Sequence, residues 1–265
     1  MELEFYDPEI YDLDVGFVYG KKRRAEFYSN EAQRINGNIL ELGCGTGDIV
    51  IALAQRGIDV TGLDISNRML DRAAMKLAKE PQEIRSRAKL IHGDMETFDI
   101  PDQFSGIFMP YGTLLHLTSS EALDNCFRNI FAHLRPSGEL IFDVLFPDPV
   151  YLGSVSGKGL RGFKFASEID IPDGSCQAYV HEDYEAITQL LTGTFRYELL
   201  NSCREVTKTW YRTLTLRVVS PEELRLHLLF SGFSAIKIWG GFEHQAQLDP
   251  TEDVVIQAKK VCSGN

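Results

Sequence analysis

The stretch Glu41-Leu42-Gly43-Cys44-Gly45-Thr46-Gly47 decides how the rest of the chain is read. Before it, Ile39, Leu40 and Leu42 make a short apolar run, and a run this brief ending in glycines reads as a buried strand. After it, Ile49, Val50, Leu53 and Ala54 recur at helical spacing, and Gly57 supplies the left-handed residue that commonly ends a helix. The first unit is therefore strand, glycine turn, helix. Working outward, residues 58–64 read as a second strand ending on Asp64, and Ser66 caps a helix with Met69, Leu70, Ala73, Leu77 and Ala78 on one face. Residues 89–92 and 106–109 read as the third and fourth strands. Thr118 and Glu121 stand at capping-box spacing ahead of Leu123, Phe127, Ile130, Phe131 and Leu134. Arg135-Pro136-Ser137-Gly138 reads as a turn and 140–145 as a fifth strand. Strands alternating with helices predict an α/β fold with a doubly wound, mostly parallel sheet.

Beyond Pro147 the pattern changes. Residues 163–219 are rich in Tyr, Thr, Phe and Val without helical periodicity, and predict an antiparallel meander of about four strands. Ser220-Pro221-Glu222-Glu223 then restores a capped helix that stops at Gly232, and 235–239 and 253–258 complete a seven-stranded sheet. The expected domains are an N-terminal helical cap (1–36), an α/β domain (37–147 with 220–261) and a β-rich insertion (148–219). An insertion at that place usually builds a lid or a substrate wall.

Composition narrows the function. The chain has 265 residues with 44% hydrophobic and 25% charged content, ordinary for a globular protein. Its 27 Lys and Arg against 38 Asp and Glu leave a formal charge of −11. Nucleic acid and anionic lipid attract cations, so neither is an expected partner. No apolar run approaches the roughly 18–20 residues of a membrane span. Residues 1–20 lack a basic start and an apolar core, so no secretory signal is expected and the expected compartment is cytoplasmic. Cys44, Cys126, Cys176, Cys203 and Cys262 are scattered with no CxxC, which suggests neither a metal cage nor a disulfide framework. A monomer or a homodimer is expected.

The dinucleotide fingerprint GxGxxG needs a third glycine where this chain has Asp48, which disfavours a nicotinamide oxidoreductase. The glycines Gly43, Gly45 and Gly47, preceded by Glu41, form instead GxGxG. That pattern resembles the cofactor loop of class I S-adenosylmethionine-dependent methyltransferases of the small-molecule type. Further similarities are Asp64 at the second strand end, His92-Gly93-Asp94-Met95, Leu134-Arg135-Pro136-Ser137-Gly138 and Ser231-Gly232-Phe233. The resemblance covers 30–146 well and 217–260 loosely. It implies a Rossmann-like fold and S-adenosyl-L-methionine as cofactor. It also implies that Asp64 accepts the ribose hydroxyls, that Asp94 takes the adenine amino group and that Met95 covers the ring. Glu41, Gly43, Cys44, Gly45, Ile65 and Met109 complete the implied cofactor contacts. The segment Tyr6-Asp7-Pro8-Glu9-Ile10-Tyr11-Asp12, with Tyr19 and Arg24, resembles the helix lying over the cofactor in such enzymes. A Tyr or Arg there would hold the methionine carboxylate, unless the aromatic residues only pack that helix onto the sheet. A non-catalytic cofactor-binding module would show damage at Gly43, Gly45, Asp64 or Asp94, and none is visible.

The acceptor side is less determined. Met109-Pro110-Tyr111 lacks the Asn/Asp-Pro-Pro-Tyr/Phe pattern of amino-methyltransferases acting on DNA or protein glutamine, which argues against those acceptors. The resemblance points to a small molecule, with Tyr111 against it and His116 facing it. Otherwise His116 is a buried structural residue. A neutral amine needs a free lone pair, whereas a hydroxyl needs a general base such as His116 or His244. An amine nitrogen is the expected target and a hydroxy or carboxylic acid metabolite the alternative. Tyr11 and His116 are the catalytic candidates. In the meander, Lys208, Trp210, Arg212 and Leu214 alternate onto one face. Arg212 either binds an acidic group of the substrate or pairs with Glu182 or Glu198 across the sheet.

Overall fold

A computed structural model describes Pro8, Tyr11, Asp12 and residues 21–157, 162–171, 173–244 and 253–261. Strand β1 (Ile39–Leu42) lies between β2 (Val60–Asp64), which is itself followed by β3 (Ala88–His92), and β4 (Phe104–Met109), and pairs in parallel with both neighbours. All four of its residues are buried, so the apolar Ile39, Leu40 and Leu42 follow one another without the alternation of a half-exposed strand, and Glu41 is the one polar member. Each of the three apolar side chains contributes about 1.5–3 kcal/mol by leaving water. Strand β5 (Leu134–Leu145) pairs parallel to β4.

Helices α1 (Lys21–Ile35), α2 (Asp48–Gln55), α3 (Asn67–Leu77) and α4 (Ser120–His133) accompany this half of the chain, with a single turn at Gln82–Arg85 that the sequence pattern did not announce. Ile49, Val50, Leu53 and Ala54 form the buried face of α2 as their spacing predicts, and Gly57 follows it at φ +80°. Ser66 caps α3 by accepting from the Met69 N–H. The cap of α4 is not Thr118. Ser119 accepts from the Ala122 N–H instead, which places Glu121 one position too early to close a capping box. The expected turn at Arg135–Gly138 is likewise replaced. The chain stays extended from Leu134, with Ser137 at φ +65° donating its N–H to the Lys260 carbonyl at 2.9 Å.

The chain divides into two compact units, Met1–Phe146 with Val219–Asn265, and Pro147–Val218. The second unit begins with helix α5 (Pro149–Val155), also unannounced by periodicity, and continues as an antiparallel sheet in the order β6 (Lys164–Ile171), β7 (Gly174–Glu185), β8 (Leu190–Asn201), β9 (Val206–Arg217). This is the four-stranded meander. The first unit closes with α6 (Pro221–Phe230), β10 (Ser234–Gly240) and β11 (Asp253–Lys259). Its seven-stranded sheet runs β10-β11-β5-β4-β1-β2-β3, with β11 antiparallel to both neighbours. The order reverses beside β1, so the crevice at its carboxyl end is the natural ligand position of the fold.

Candidate active site

The glycine loop lies at the β1 carboxyl end, and its glycines serve different needs. Gly43, Gly45 and Gly47 all have positive φ, where a side chain is strained. A Cβ on Gly43 would collide with the Thr113 methyl, and one on Gly47 would meet Ala73 Cβ at 3.0 Å. Those two glycines let neighbouring elements close on the loop. Gly45 has room, with Tyr11 Cε1 and Oη each 3.7 Å from where its Cβ would stand. The Gly45 N–H donates to Asp64 Oδ2 at 2.7 Å, and the Ser66 N–H donates to Asp64 Oδ1 at 2.8 Å. Burial pushes the Asp64 carboxyl up against those two bonds. Glu41 is 2% exposed, and its Oε2 has no hydrogen-bond partner among the described residues. Burial, then the charges of Asp48 and Asp64, raise its carboxyl well above the ordinary range. A buried carboxyl with an orphaned oxygen beside a glycine loop is suited to a cationic ligand.

Beside Asp64, Ile65 is 60% exposed and presents an apolar surface, while its carbonyl accepts from His92 Nε2 at 2.9 Å. Asp94, at the next strand end, accepts the Glu96 N–H at 2.8 Å and so shapes the turn holding the half-buried Met95. Cys44 and Met109 are buried under the loop and at the β4 end. Thus Glu41, Gly43, Cys44, Gly45, Asp64, Ile65, Asp94, Met95 and Met109 fall on the carboxyl ends of β1 to β4 or the loops that follow.

Residues 39–138 match a family described as a methyltransferase domain. An uncharacterized methyltransferase of Bacillus mycoides (strain KBAB4) is 32% identical over 160 residues, 60% of this chain and 71% of that protein. The chain belongs to the class I S-adenosylmethionine-dependent methyltransferases. YqeM of Bacillus subtilis (strain 168) is 33% identical over 124 residues, 43% of this chain and 48% of YqeM, so the chain spans about half the length of that curated relative. The dTDP-3-amino-3,4,6-trideoxy-alpha-D-glucopyranose N,N-dimethyltransferase of Streptomyces venezuelae is 27% identical over 164 residues, 58% of this chain and 63% of that enzyme. Among solved structures, an S-adenosylmethionine-dependent methyltransferase from Clostridium acetobutylicum ATCC 824 shares the fold at TM-score 0.75 and 18% identity, covering 96% of this chain and 97% of that one.

Arg24, expected at the methionine carboxylate, lies inside the protein. It is 1% exposed and paired with Asp253 at 2.8 Å and Asp143 at 3.3 Å, between the rings of Tyr111 and Phe242. Asp143 Oδ1 also accepts the Tyr28 hydroxyl at 2.6 Å and the Tyr111 N–H at 3.2 Å. Tyr111 is thereby held at φ +61°, an uncommon conformation for a tyrosine, ahead of the short 3₁₀ turn Thr113–His116. His116 ends that turn half-buried, and burial lowers its pKa. Tyr19 lies outside the described residues. His244 packs against the rings of Trp239 and Phe27 at 4.2 and 5.5 Å.

In the other unit, Arg212 is opposite Phe195 across the ladder, while Glu198 is opposite Thr209 and so faces the other way, where Arg196 Nε reaches it at 3.2 Å. The suggested Arg212–Glu198 pair is excluded by strand alternation. Two groups were not singled out as site residues from the sequence. Asp143 carried a signal, being a lone acid in the apolar run 140–145, which demands a buried cation. Asp12, hydrogen-bonded to Thr46 of the loop at 2.6 Å, carried none.

Proposed function

We propose that this chain transfers a methyl group from S-adenosylmethionine to a small-molecule acceptor at an amine nitrogen. The observation that carries the reading is the set of carboxyl groups around the glycine loop: Asp64 fixed by the Gly45 and Ser66 N–H groups, and Glu41 buried with an oxygen that has no partner among the described residues. In this reading Asp64 accepts the ribose hydroxyls, Ile65 and Met95 flank the adenine with Asp94 at its amino group, and Glu41 faces the positive end of the cofactor. Gly43, Cys44, Gly45 and Met109 form the floor.

The cofactor supplies an activated methyl, so the residues around it need mainly to align the acceptor and exclude water. His116, kept neutral at pH 7 by burial, is suited to orient an acceptor amine or take its proton. Tyr11, over Gly45, and Tyr111, gripped by Asp143 and Arg24, complete the polar surroundings. Arg212 is the proposed anchor for an acidic group of the acceptor, and 148–219 the segment that selects it. The amine is supported by the Streptomyces venezuelae relative, whose name is that of an amino-sugar N,N-dimethyltransferase.

Calorimetry with S-adenosylhomocysteine and with NADH tests the cofactor, and turnover on a panel of amines and hydroxy acids tests the acceptor. Binding of the first ligand alone and transfer to amines are expected. Absence of S-adenosylhomocysteine binding sinks the reading, and transfer to hydroxy acids alone replaces nitrogen by oxygen.

A further inference from the structure

Asp12 gathers more polar partners than a surface carboxylate usually does. Thr46 Oγ1 donates to its Oδ1 at 2.6 Å and Lys76 Nζ to the same oxygen at 3.1 Å, while Arg72 Nε donates to Oδ2 at 2.8 Å. Lys76 also bonds Thr46 Oγ1 at 3.1 Å and the Asp48 carboxylate at the start of α2. Arg72 and Lys76 are four residues apart and so share one face of α3. Burial would raise the Asp12 carboxyl, but the bonds from Thr46, Arg72 and Lys76 outweigh it and hold it below the ordinary value. Asp12 is therefore ionised throughout the neutral range, and its side chain is only 14% exposed. An exposed ion pair contributes little, but this one is shielded and has three donors.

What those bonds fasten matters. The residue before Asp12 is Tyr11, whose ring edge and hydroxyl lie against Gly45. Gly45 in turn donates its N–H to Asp64. Thr46, the first of the donors, is the next residue of the same loop.

The geometry points to Asp12 as a positioning residue: by tying Tyr11 across the glycine loop to Thr46, Arg72 and Lys76, it sets how slowly the cofactor leaves. This rests on the cofactor site proposed above. The two ideas separate in one experiment, surface plasmon resonance with immobilised full-length protein and S-adenosylhomocysteine as the probe.

Asp12→Asn keeps the shape and removes the charge. It should speed dissociation about tenfold, change the association rate less than threefold and shift the ligand-free melting temperature by no more than about 2 °C. Arg72→Met, on a partly exposed helix face, should do the same to a smaller extent. The double variant should dissociate no faster than Asp12→Asn, because both changes cut one connection. Asp12→Glu should recover part of the parent residence time. Parental dissociation rates in Asp12→Asn and Arg72→Met overturn the inference, as do additive effects in the double variant. A rate change that merely tracks a fall in melting temperature also overturns it. If the parent protein itself fails to bind S-adenosylhomocysteine, it is the cofactor site that falls.

Discussion

The Gly45 N–H donates to Asp64 Oδ2 at 2.7 Å, so the carboxylate at the end of β2 is a structural brace of the glycine loop before any ligand arrives. Its other oxygen holds the Ser66 N–H at the entry to α3. A carboxylate oxygen can accept more than one bond, so capacity remains for hydroxyl donors. Asp64→Ala should weaken S-adenosylhomocysteine at least tenfold by calorimetry. It should also lower the melting temperature of the ligand-free protein, because two backbone donors lose their acceptor at a cost of about 1–3 kcal/mol each. Loss of affinity with an unchanged melting temperature would show that the brace is dispensable.

Glu41 predicts a pH effect. Its carboxyl is raised by burial and by Asp48 and Asp64, so the folded protein keeps a proton that the unfolded chain releases near pH 4.3. The stability from this group is complete below that pH and is lost as pH rises through the raised folded value. Glu41→Gln should flatten that decline and melt higher than the parent at neutral pH. A cationic ligand would favour the ionised form and expel the proton. Calorimetry with S-adenosylmethionine in phosphate and in Tris should then give different enthalpies; equal ones contradict the protonation argument.

Arg24→Met tests the part played by the buried arginine. Stranding Asp143 without its cation should cost about 3–5 kcal/mol, and a change of that size lowers the melting temperature by roughly 10 °C in a domain of this length. Below the transition, affinity for S-adenosylhomocysteine should stay within threefold of the parent. A loss above tenfold would return Arg24 to the role of methionine-carboxylate ligand.

His116 separates nitrogen from oxygen transfer. With burial holding its pKa below the usual 6.5, the imidazole is neutral at pH 7, and any activity limb it controls falls on the acid side. His116→Asn should lower kcat on the order of tenfold for an amine acceptor. For a hydroxyl acceptor the loss should exceed about a thousandfold and the acid limb should vanish, since general base catalysis contributes about 10²–10⁴-fold. Profiles of kcat against pH for parent and variant decide between them.

Much of the frame was legible along the chain. The apolar run at Ile39–Leu42, the buried face of α2, the Ser66 and Ser220 caps and the left-handed Gly57 all occur where spacing alone put them. The choice of Ser119 over Thr118 was not legible, because two adjacent hydroxyl residues offer the same cap and the packing of Leu123, Phe127 and Ile130 decides where the helix begins. Nor was the continuous strand through Ser137, whose N–H partner is the carbonyl of Lys260, just beyond β11 and far along the chain.

By itself, then, the order of residues determined the alternation of elements, the glycine loop and the strand-end acids, because each depends on neighbours within a turn or a pleat. Tertiary structure alone decided where the buried charges meet. Arg24 found Asp143 and Asp253, and Asp12 found Thr46, Arg72 and Lys76. The physical reason is that a charge removed from water takes its partner from whichever elements the sheet order brings beside it, and separation along the chain carries no trace of that choice.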